Sequence, residues 1–288
     1  MATQTPTPIH KAVQEHYGNF AKEAGSCCGP AAGAPKTESL LYPEELLTGI
    51  PADIAGFTAG SGDPVSLAEL KPGETVLDLG SGGGLDCFLA ARQVGESGHV
   101  IGVDMTQEML ARARSSAARL NVQSVEFREG FLENLPVGDN SVDVIISNCV
   151  INLSPDKPRV FCEMYRVLRS PDPVSGKPGG RIAVSDIVTN RPLSEEARKD
   201  NEDWCGCVSG ALAYGEYKDE LSKAGFVDIR IEPDMEMVVK AIESGQVRVQ
   251  TETNKNPSKE ELLEKIRHWE KLEGNMFVPH MITARKPA

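Results

Sequence analysis

The stretch 75–86, with the sequence TVLDLGSGGGLD, joins an acidic residue to a glycine-rich turn. Glycine lets a backbone turn tightly and approach a ligand closely, and the helix predicted to follow would point its free N–H groups at that ligand. The last glycine of the G-x-G-x-x-G pattern of dinucleotide sites is replaced by leucine. Asp78, two residues before the first glycine, would repel a pyrophosphate but suits a cofactor with a free ammonium group. In preference to a plain glycine turn, the pattern predicts a nucleotide-like cofactor at Asp78, Gly80, Ser81 and Gly82.

Two residues after the next predicted strand indicate where the rest of such a cofactor would lie. Asp104 ends the segment HVIGVD and could accept hydrogen bonds from ribose hydroxyls. Met105 follows it and could cover the face of an adenine ring. An acidic residue at a strand end more often caps a loop, so the joint order of these residues supports the cofactor site better than any one of them.

Seven cysteines supply a second kind of chemistry, and their odd number argues against a disulfide framework. Cys149 directly follows the predicted fourth strand, on the same sheet edge as the glycine turn. In a segment predicted to be helical, Cys207 shares a face with Trp204, whereas Cys205 lies about 200° away and points elsewhere. Cys149 and Cys207 are therefore the candidate reactive thiols, with buried packing cysteines as the alternative.

The other cysteines fall into two groups. Cys27 and Cys28 are adjacent in the flexible segment GSCCGPAAGAP, which could close over a ligand or remain exposed and idle. Cys87 and Cys162 lie within predicted helices and are expected to be packing residues. A zinc site is a further alternative, but the chain has no C-x-x-C pair and no Cys/His spacing typical of one.

The elements that must position these residues alternate between strand and helix. The hydrophobic pattern predicts strands at 75–80, 99–104, 124–129, 142–147 and 180–186, and helices at 84–95, 106–120 and 156–169. This rhythm predicts an α/β fold with a Rossmann-like, mostly parallel sheet that binds ligands at the carboxyl ends of its strands. We expect an N-terminal cap with the cysteine loop at 1–70 and the cofactor-binding core at 71–190. A C-terminal α+β substrate-binding region at 191–288 would follow, with a helix at 194–212 and an antiparallel last strand at 276–284.

Composition narrows the classes of partner. A net charge of −12 over 288 residues argues against a nucleic-acid substrate, because phosphate binding needs a basic surface. No apolar run approaches the roughly 20 residues of a membrane helix, and the N-terminal ATQTPTP lacks the hydrophobic region of a signal peptide. We therefore expect a cytoplasmic, monomeric enzyme for a small molecule, without a membrane or nucleic-acid partner.

Taken together, the motifs resemble the arsenite S-adenosylmethionine (SAM) methyltransferases, a family of class I SAM-dependent methyltransferases. The resemblance spans nearly the whole chain and rests on VLDLGSGGGLD, DMTQEML, SVDVIISNCVINLSPDK, AVSDIV, the SCCG loop and WCGCVSGAL. Its most specific part is SNCVINL with the downstream cysteine. The resemblance implies a class I methyltransferase fold, SAM as cofactor and S-adenosylhomocysteine as product. It also implies Leu132 and Glu133 at the adenine edge and Asn148 at the methionine end.

The same resemblance implies that Cys149 and Cys207 bind trivalent arsenic, with Cys28 or its neighbour Cys27 as the third ligand. Soft thiolates select soft acceptors, and the lone pair left free on arsenic can attack the sulfonium methyl without a general base. The family commonly has a fourth cysteine where this chain has Ser61. In the family that thiol is linked to a disulfide step that reduces the pentavalent product. Here Cys27 and Cys28, or an external thiol such as glutathione or thioredoxin, would have to reduce it.

Two other functions are compatible with these motifs. A SAM-dependent methyltransferase for a small organic substrate would need a general base near the donor. The histidines all fall outside the predicted sheet-edge loops, at His10, His16, His99, His268 and His280. A non-catalytic thiol sensor or arsenic-binding protein would bind arsenite without turnover. The favoured prediction is methyl transfer from SAM to thiol-bound trivalent arsenic, in arsenic detoxification.

Overall fold

The computed structural model describes residues 5–22, 41–174, 176–199, 201–243, 260, 263–264, 268 and 275–287. The predicted loop with Cys27 and Cys28 lies outside these residues. So does most of the segment 258–269, in which Ser258 and Glu261 form a capping-box pattern that predicts a helix. The α-helices of the described part are α1 (Pro8–Lys22), α2 (Glu44–Leu47), α3 (Ala52–Ala55), α4 (Pro64–Leu67), α5 (Leu85–Val94), α6 (Gln107–Leu120), α7 (Lys157–Val167), α8 (Asn201–Cys205), α9 (Tyr214–Lys223) and α10 (Met235–Glu243).

The strands form one mixed sheet. They are β1 (Thr75–Leu79), β2 (His99–Asp104), β3 (Val125–Glu129), β4 (Val144–Asn148), β5 (Arg181–Thr189), β6 (Leu212–Ala213), β7 (Val227–Pro233) and β8 (Phe277–Arg285). Their order is β3-β2-β1-β4-β5-β8-β7, with the short β6 beside β5. The first five strands are parallel, and β8 is antiparallel to both of its neighbours. The predicted α/β class and the antiparallel last strand are confirmed.

The sequence explains why the centre of this sheet forms. In β1, Val76, Leu77 and Leu79 are fully buried, because helices cover both faces of a parallel sheet. One hydrophobic cluster packs α7 and α9 on one face, and a second packs α3 to α6 on the other. Left-handed Gly84 starts α5, and Gly95, also with positive φ, ends it. From β1 to α7, every strand and α-helix begins and ends within two residues of its predicted bounds, whereas the 3₁₀ turn Ile151–Leu153 was not predicted.

The predicted helix at 194–212 is wrong. A short 3₁₀ turn at Ala197–Lys199 and the five-residue α8 replace it, and the chain then turns through residues 206–211 into β6. Cys207 has a left-handed φ of 61°, which an α-helix cannot accommodate. The helix α10 was not predicted. The division into three regions at residues 70 and 190 stays a prediction.

The strand order reverses between β1 and β4. Their register pairs Leu79 with Ser147, so the glycine turn after β1 lies beside the residues that follow β4. In doubly wound sheets this crevice is where ligands bind. Within the described ranges, each helix is too short or too polar to span a lipid bilayer.

Candidate functional site

A pocket with about 960 Å³ of empty space opens at the carboxyl edge of the sheet. The glycine turn lines it together with residues that follow β2, β3 and β4, while α1 and residues 57–60 line it from outside the sheet. Several predicted site residues meet in its wall, namely Gly80, Ser81, Gly82, Asp104, Met105, Leu132, Glu133, Asn148 and Cys149. Their individual roles stay predictions.

Asp104 holds the glycine turn in shape. The backbone N–H of Gly82 donates to Oδ2 of Asp104 at 2.9 Å, and the N–H of Thr106 donates to Oδ1 at 2.8 Å. Burial raises the pKa of Asp104. Beside it, the buried Oγ of Ser81 has no hydrogen-bond partner in the described chain, although Ser81 lines the pocket. This part of the wall therefore offers a carboxylate and a free hydroxyl to polar groups of a ligand.

The structure does not bring Asp78 into the pocket wall. Asp78 is 2% exposed on β1, and its Oδ2 accepts a hydrogen bond from Sγ of Cys87 at 3.2 Å. Burial, and then the nearby charge of Asp86, raise the pKa of Asp78 well above its usual value. The contact of Asp78 with a cofactor ammonium stays an untested prediction, whereas Asp86, eight residues farther along the chain, does line the pocket.

Asp86 was missed by the sequence reasoning. It lies in the first turn of α5, accepts a hydrogen bond from the hydroxyl of Tyr42 at 2.8 Å, and receives a longer one from Nδ2 of Asn148 at 3.3 Å. Burial raises the pKa of Asp86 to about 7, the charge of Asp63 adds to this, and the hydrogen bonds from Tyr42 and Asn148 oppose it. No ion pair in the described chain involves Asp86. A buried carboxylate of this kind suits a cationic ligand.

Asn148 joins this carboxylate to the loop that contains Ser61. Oδ1 of Asn148 accepts from the N–H of Ser61 at 2.8 Å, and Nδ2 donates to the carbonyl of Gly62 at 2.8 Å. A Cβ at Gly60 would lie 2.3 Å from the Asn148 amide, so only glycine allows this close approach. The hydroxyl of Ser61 lies 3.1 Å from that of Ser185 on β5. Position 61 is thus buried immediately beside the end of β4.

Helix α1 covers the pocket from outside the sheet. Nε2 of His10 lies 3.1 Å from Oε1 of Glu133, and Nδ1 accepts from the N–H of Thr7 at 3.1 Å. Burial alone would raise the pKa of Glu133, but hydrogen bonds from His10 and Ser154 lower it. His10 lies outside the sheet-edge loops, as expected, but α1 brings its side chain into the pocket wall. Nothing in its local sequence indicates the contact, because the partners are 123 residues apart.

Farther along α1, aromatic and polar side chains contact other residues of the pocket wall. The ring of Phe20 stacks on that of Phe57 with 4.7 Å between centroids, and Phe57 packs against the glycine turn at Gly83. Nε2 of Gln14 donates to the carbonyl of Met105 at 2.8 Å. Helix α1 therefore covers the predicted adenosine side of the pocket.

The two candidate thiols lie next to each other. Sγ of Cys207 donates to the backbone carbonyl of Cys149 at 3.0 Å, and both cysteines are buried in one cluster with Trp204. Their φ angles, 58° for Cys149 and 61° for Cys207, are in the left-handed region that disfavours non-glycine residues. The neighbouring Cys149 thiol, followed by burial, raises the pKa of Cys207 well above its usual value. Cys149 lines the pocket, so the thiol pair contacts the pocket through Cys149.

The remaining cysteines differ partly from expectation. Cys205 ends α8 and is buried in the same cluster as Cys149 and Cys207. Because Cys207 lies beyond that helix, helical spacing does not relate the two side chains, and the expectation that Cys205 points elsewhere stays untested. Cys162 is exposed rather than packed, and Cys87 is buried as expected. No group of three His, Cys, Asp or Glu side chains within the described ranges is arranged to hold a metal ion.

Two buried charges flank the thiol pair without lining the pocket. Burial raises the pKa of Asp186 to about 7, and burial lowers the pKa of Lys157 to about 8. Nζ of Lys157 donates to the carbonyl of Ser154 at 2.8 Å and lies 5.0 Å from the ring centre of Trp204. The charge of Asp186 acts to raise the pKa of Cys207, and that of Lys157 acts to lower it.

Comparison with known proteins is consistent with this geometry. Residues 70–225 match the family model described as a methyltransferase domain. The chain is 42% identical to an arsenite methyltransferase of Halobacterium salinarum, over 81% of this chain and 61% of the relative. It is 34% identical to the arsenite methyltransferase of Homo sapiens, over 80% of this chain and 61% of the relative. The chain thus spans about three fifths of the length of these curated relatives.

Solved structures extend the comparison. An arsenic(III) S-adenosylmethionine methyltransferase from Chlamydomonas reinhardtii, CrArsM, has a TM-score of 0.61 at 30% identity, covering 88% of this chain and 75% of that one. A phosphoethanolamine N-methyltransferase from Haemonchus contortus shares the fold. Its TM-score is 0.59 at 19% identity, and the match covers 85% of this chain and 56% of that one. The fold, the pocket and the domain match define a class I methyltransferase domain. Within that class, the chain belongs to the arsenite methyltransferase family.

Proposed function

We propose that this protein transfers a methyl group from SAM to thiol-bound trivalent arsenic, giving S-adenosylhomocysteine and a methylated arsenical in arsenic detoxification. The observation that carries the proposal is the adjacent pair Cys149 and Cys207, whose first member lines the pocket that the glycine turn also lines. Relatives and a solved structure that carry the same activity in their names support it.

The residues of the pocket fit SAM. The buried carboxylate of Asp86, which lacks an ion-pair partner in the described chain, would hold the cationic methionine end. Asp104 would accept hydrogen bonds from the ribose, and the unpartnered hydroxyl of Ser81 is a further contact. Met105 and Leu132 would cover the adenine ring. When bound, SAM supplies an electrophilic methyl group.

Capture of arsenite by the thiols needs no oxidant. As each As–S bond forms, an As–O bond breaks, and the thiol proton leaves with the hydroxide as water. Cys149 and Cys207 would supply two sulfurs, and Cys28 or Cys27 the third. The arsenic lone pair is then free to attack the methyl group. The protein contributes positioning and exclusion of water, because the acceptor has no proton to lose.

A small organic acceptor fits this site less well. Such a substrate would need a general base, and His10 is the histidine that lines the pocket. Both ring nitrogens of His10 are engaged, one with Glu133 and the other with Thr7. His10 is therefore occupied in holding α1 rather than available to remove a substrate proton.

Regeneration of the substrate requires two electrons for each methyl group, because methylation converts arsenic(III) to arsenic(V). Two thiols that become a disulfide supply those electrons. Ser61 cannot take part, so either Cys27 and Cys28 form the redox pair or glutathione or thioredoxin supplies the electrons. The protein would act in the cytoplasm, as a monomer, with one of these reductants as its partner.

The test incubates the protein with methyl-labelled SAM, arsenite and either glutathione or a thioredoxin system, and separates the products by methyl count and oxidation state. We expect labelled methylarsenicals, with multiple turnovers only when reductant is present. Cys149→Ser should abolish methylation while leaving SAM affinity intact. Cys162→Ser, at the exposed cysteine of α7, is the matched control and should keep full activity.

Full methylation by Cys149→Ser would contradict the assignment of the thiol site. Stoichiometric binding of arsenite by the unmodified protein without any labelled product would instead identify a sequestering protein. Methylation of a small organic acceptor, but not of arsenite, would identify the alternative enzyme class.

A further inference from the structure

The turn that carries Cys207 contacts Asn152 and is also held by backbone hydrogen bonds from Val208 and Ser209 to the carbonyl of Asp203. This turn, residues 207–210, follows α8 and leads into β6. Asn152 lies three residues after Cys149, in the 3₁₀ turn Ile151–Leu153, and is 0% exposed. Its side chain does not line the pocket, and none of the chemistry proposed above uses it.

Both ends of the turn rest on Asn152. Nδ2 of Asn152 donates to the carbonyl of Cys207 at 3.4 Å and, more tightly, to the carbonyl of Ile187 at 2.7 Å. At the other end, a Cβ on Gly210 would lie 1.9 Å from the backbone carbonyl oxygen of Asn152. The amide therefore ties Cys207 to the end of β5, and Gly210 allows the backbone to reach Asn152.

The strained backbone of Cys149 and Cys207 indicates why the contacts of Asn152 with this turn matter. The left-handed conformations of Cys149 and Cys207 are unfavourable for non-glycine residues and persist only where neighbouring groups hold them. Cys149 is held because its N–H donates to the carbonyl of Ser185 at 2.7 Å. For Cys207 the corresponding contacts are its own N–H to the carbonyl of Trp204 and the Asn152 amide on its carbonyl.

Stability of the fold explains only part of this arrangement. Oδ1 of Asn152 is buried without a hydrogen-bond partner in the described chain, which is unfavourable. An apolar side chain of similar shape would avoid that cost but would leave the carbonyls of Ile187 and Cys207 without the Nδ2 donor, which is itself unfavourable. What distinguishes the amide from an apolar side chain is therefore the pair of bonds that connects Cys207 to the end of β5.

We propose that Asn152 is a positioning residue that fixes Cys207 relative to Cys149, so that the two thiols can bind one trivalent arsenical together. The inference rests on the proposed function of this thiol pair. Partners of this kind, which orient ligands without touching the bound atom, typically change affinity by about 10- to 100-fold when removed. Asn152 therefore acts on capture of the arsenical rather than on binding of SAM.

The test compares Asn152→Leu with the unmodified protein and with Asn134→Leu, a matched change of an exposed amide. The probe is phenylarsine oxide, whose trivalent arsenic has two replaceable positions. We expect its affinity to fall about 10- to 100-fold in Asn152→Leu, with SAM affinity within twofold in a protein that still folds, although its midpoint of thermal unfolding should be lower because two buried carbonyls lose a donor. The number of protein sulfurs bound to arsenic, counted by X-ray absorption, should fall from two to one. Gly210→Ala, which displaces Asn152 from the other end of the turn, should lower the same affinity.

An unchanged affinity and sulfur count in folded Asn152→Leu would overturn the proposal. If Asn152→Leu unfolds, the amide is a stability element, and the proposal is likewise overturned. If the unmodified protein neither binds the probe nor methylates arsenite, the proposed function itself fails. That result is distinguishable, because it needs no variant.

Discussion

Replacement of Asp86 by asparagine should strengthen the fold while weakening SAM binding. The pKa of Asp86 is raised by burial to about 7 in the folded protein, from its usual value of 3.8. Between these values the folded state binds the proton more tightly than the unfolded state, so stability falls as pH rises from about 4 to 7. A shift of about 3 pKa units corresponds to roughly 4 kcal/mol above pH 7. Asp86→Asn should recover up to about that much free energy of unfolding at pH 7.5, less the cost of turning an NH₂ group toward Asn148.

The effect on SAM has the opposite sign. Losing a buried, hydrogen-bonded partner of a cation typically costs about 2–4 kcal/mol, or roughly 30- to 1,000-fold in affinity at pH 7.5. In the unmodified protein, affinity should itself fall roughly 5- to 10-fold from pH 7.5 to 6.0, because SAM then binds against a protonated Asp86. The variant should lack this pH dependence.

Two measurements check this reasoning. Calorimetric titration with SAM at pH 6.0 and 7.5 gives the affinities, and urea unfolding at pH 5 and 7.5 gives the stabilities. Asp53→Asn is the matched control, since Asp53 is an exposed carboxylate paired with Arg119 at 2.6 Å and should change neither property appreciably. Equal SAM affinity in Asp86→Asn and the unmodified protein at pH 7.5 would refute the assignment of Asp86 to the cationic end of the cofactor.

Two further predictions concern buried charges around the site. Burial lowers the pKa of Lys157 to about 8, so the unfolded state binds more protons between pH 8 and 10.5, and stability should rise by about 3 kcal/mol across that range. Lys157→Met should lack this rise when urea unfolding is compared at pH 7 and 10. Glu133→Gln removes the carboxylate that His10 and Ser154 contact, so α1 should be cleaved faster in limited proteolysis and SAM affinity should fall roughly tenfold. Unaltered proteolysis would mean that packing alone holds α1.

The parallel core could be predicted from the sequence because its signals are local. The run of Val76, Leu77 and Leu79, followed by glycines and then a helical period, specifies β1, the turn and α5 within a few residues. The thiol at Cys149 follows from the same logic, since the residue after a strand must lie at the sheet edge.

The segment 194–212 could not be predicted in this way, because long-range contacts decide its conformation. The indole N–H of Trp204 donates to the carbonyl of Leu153 at 3.0 Å, and Cys207 then leaves the helical conformation. This contact and the turn that follows it outweigh the local helical pattern on which the expectation for Cys205 depended. Likewise, Tyr42 reaches Asp86 from 44 residues away, so local sequence could not reveal that this carboxylate serves the pocket.

The pairing of β1 with β4 fixes the distance between the glycine turn and Cys149, the two parts of the site on which the proposed reaction depends. Backbone hydrogen bonds keep neighbouring strands about 4.8 Å apart, and the register of Leu79 with Ser147 brings Gly80 and Val150 so close that a Cβ on Gly80 would lie 2.3 Å from Val150. The spacing between the methyl donor and Cys149 is therefore set by the main chain. A slip of one residue in β4 would move Cys149 by about 3.3 Å and turn it to the opposite face of the sheet. Substitutions in the surrounding helices that keep this register would consequently leave the spacing between the glycine turn and Cys149 unchanged.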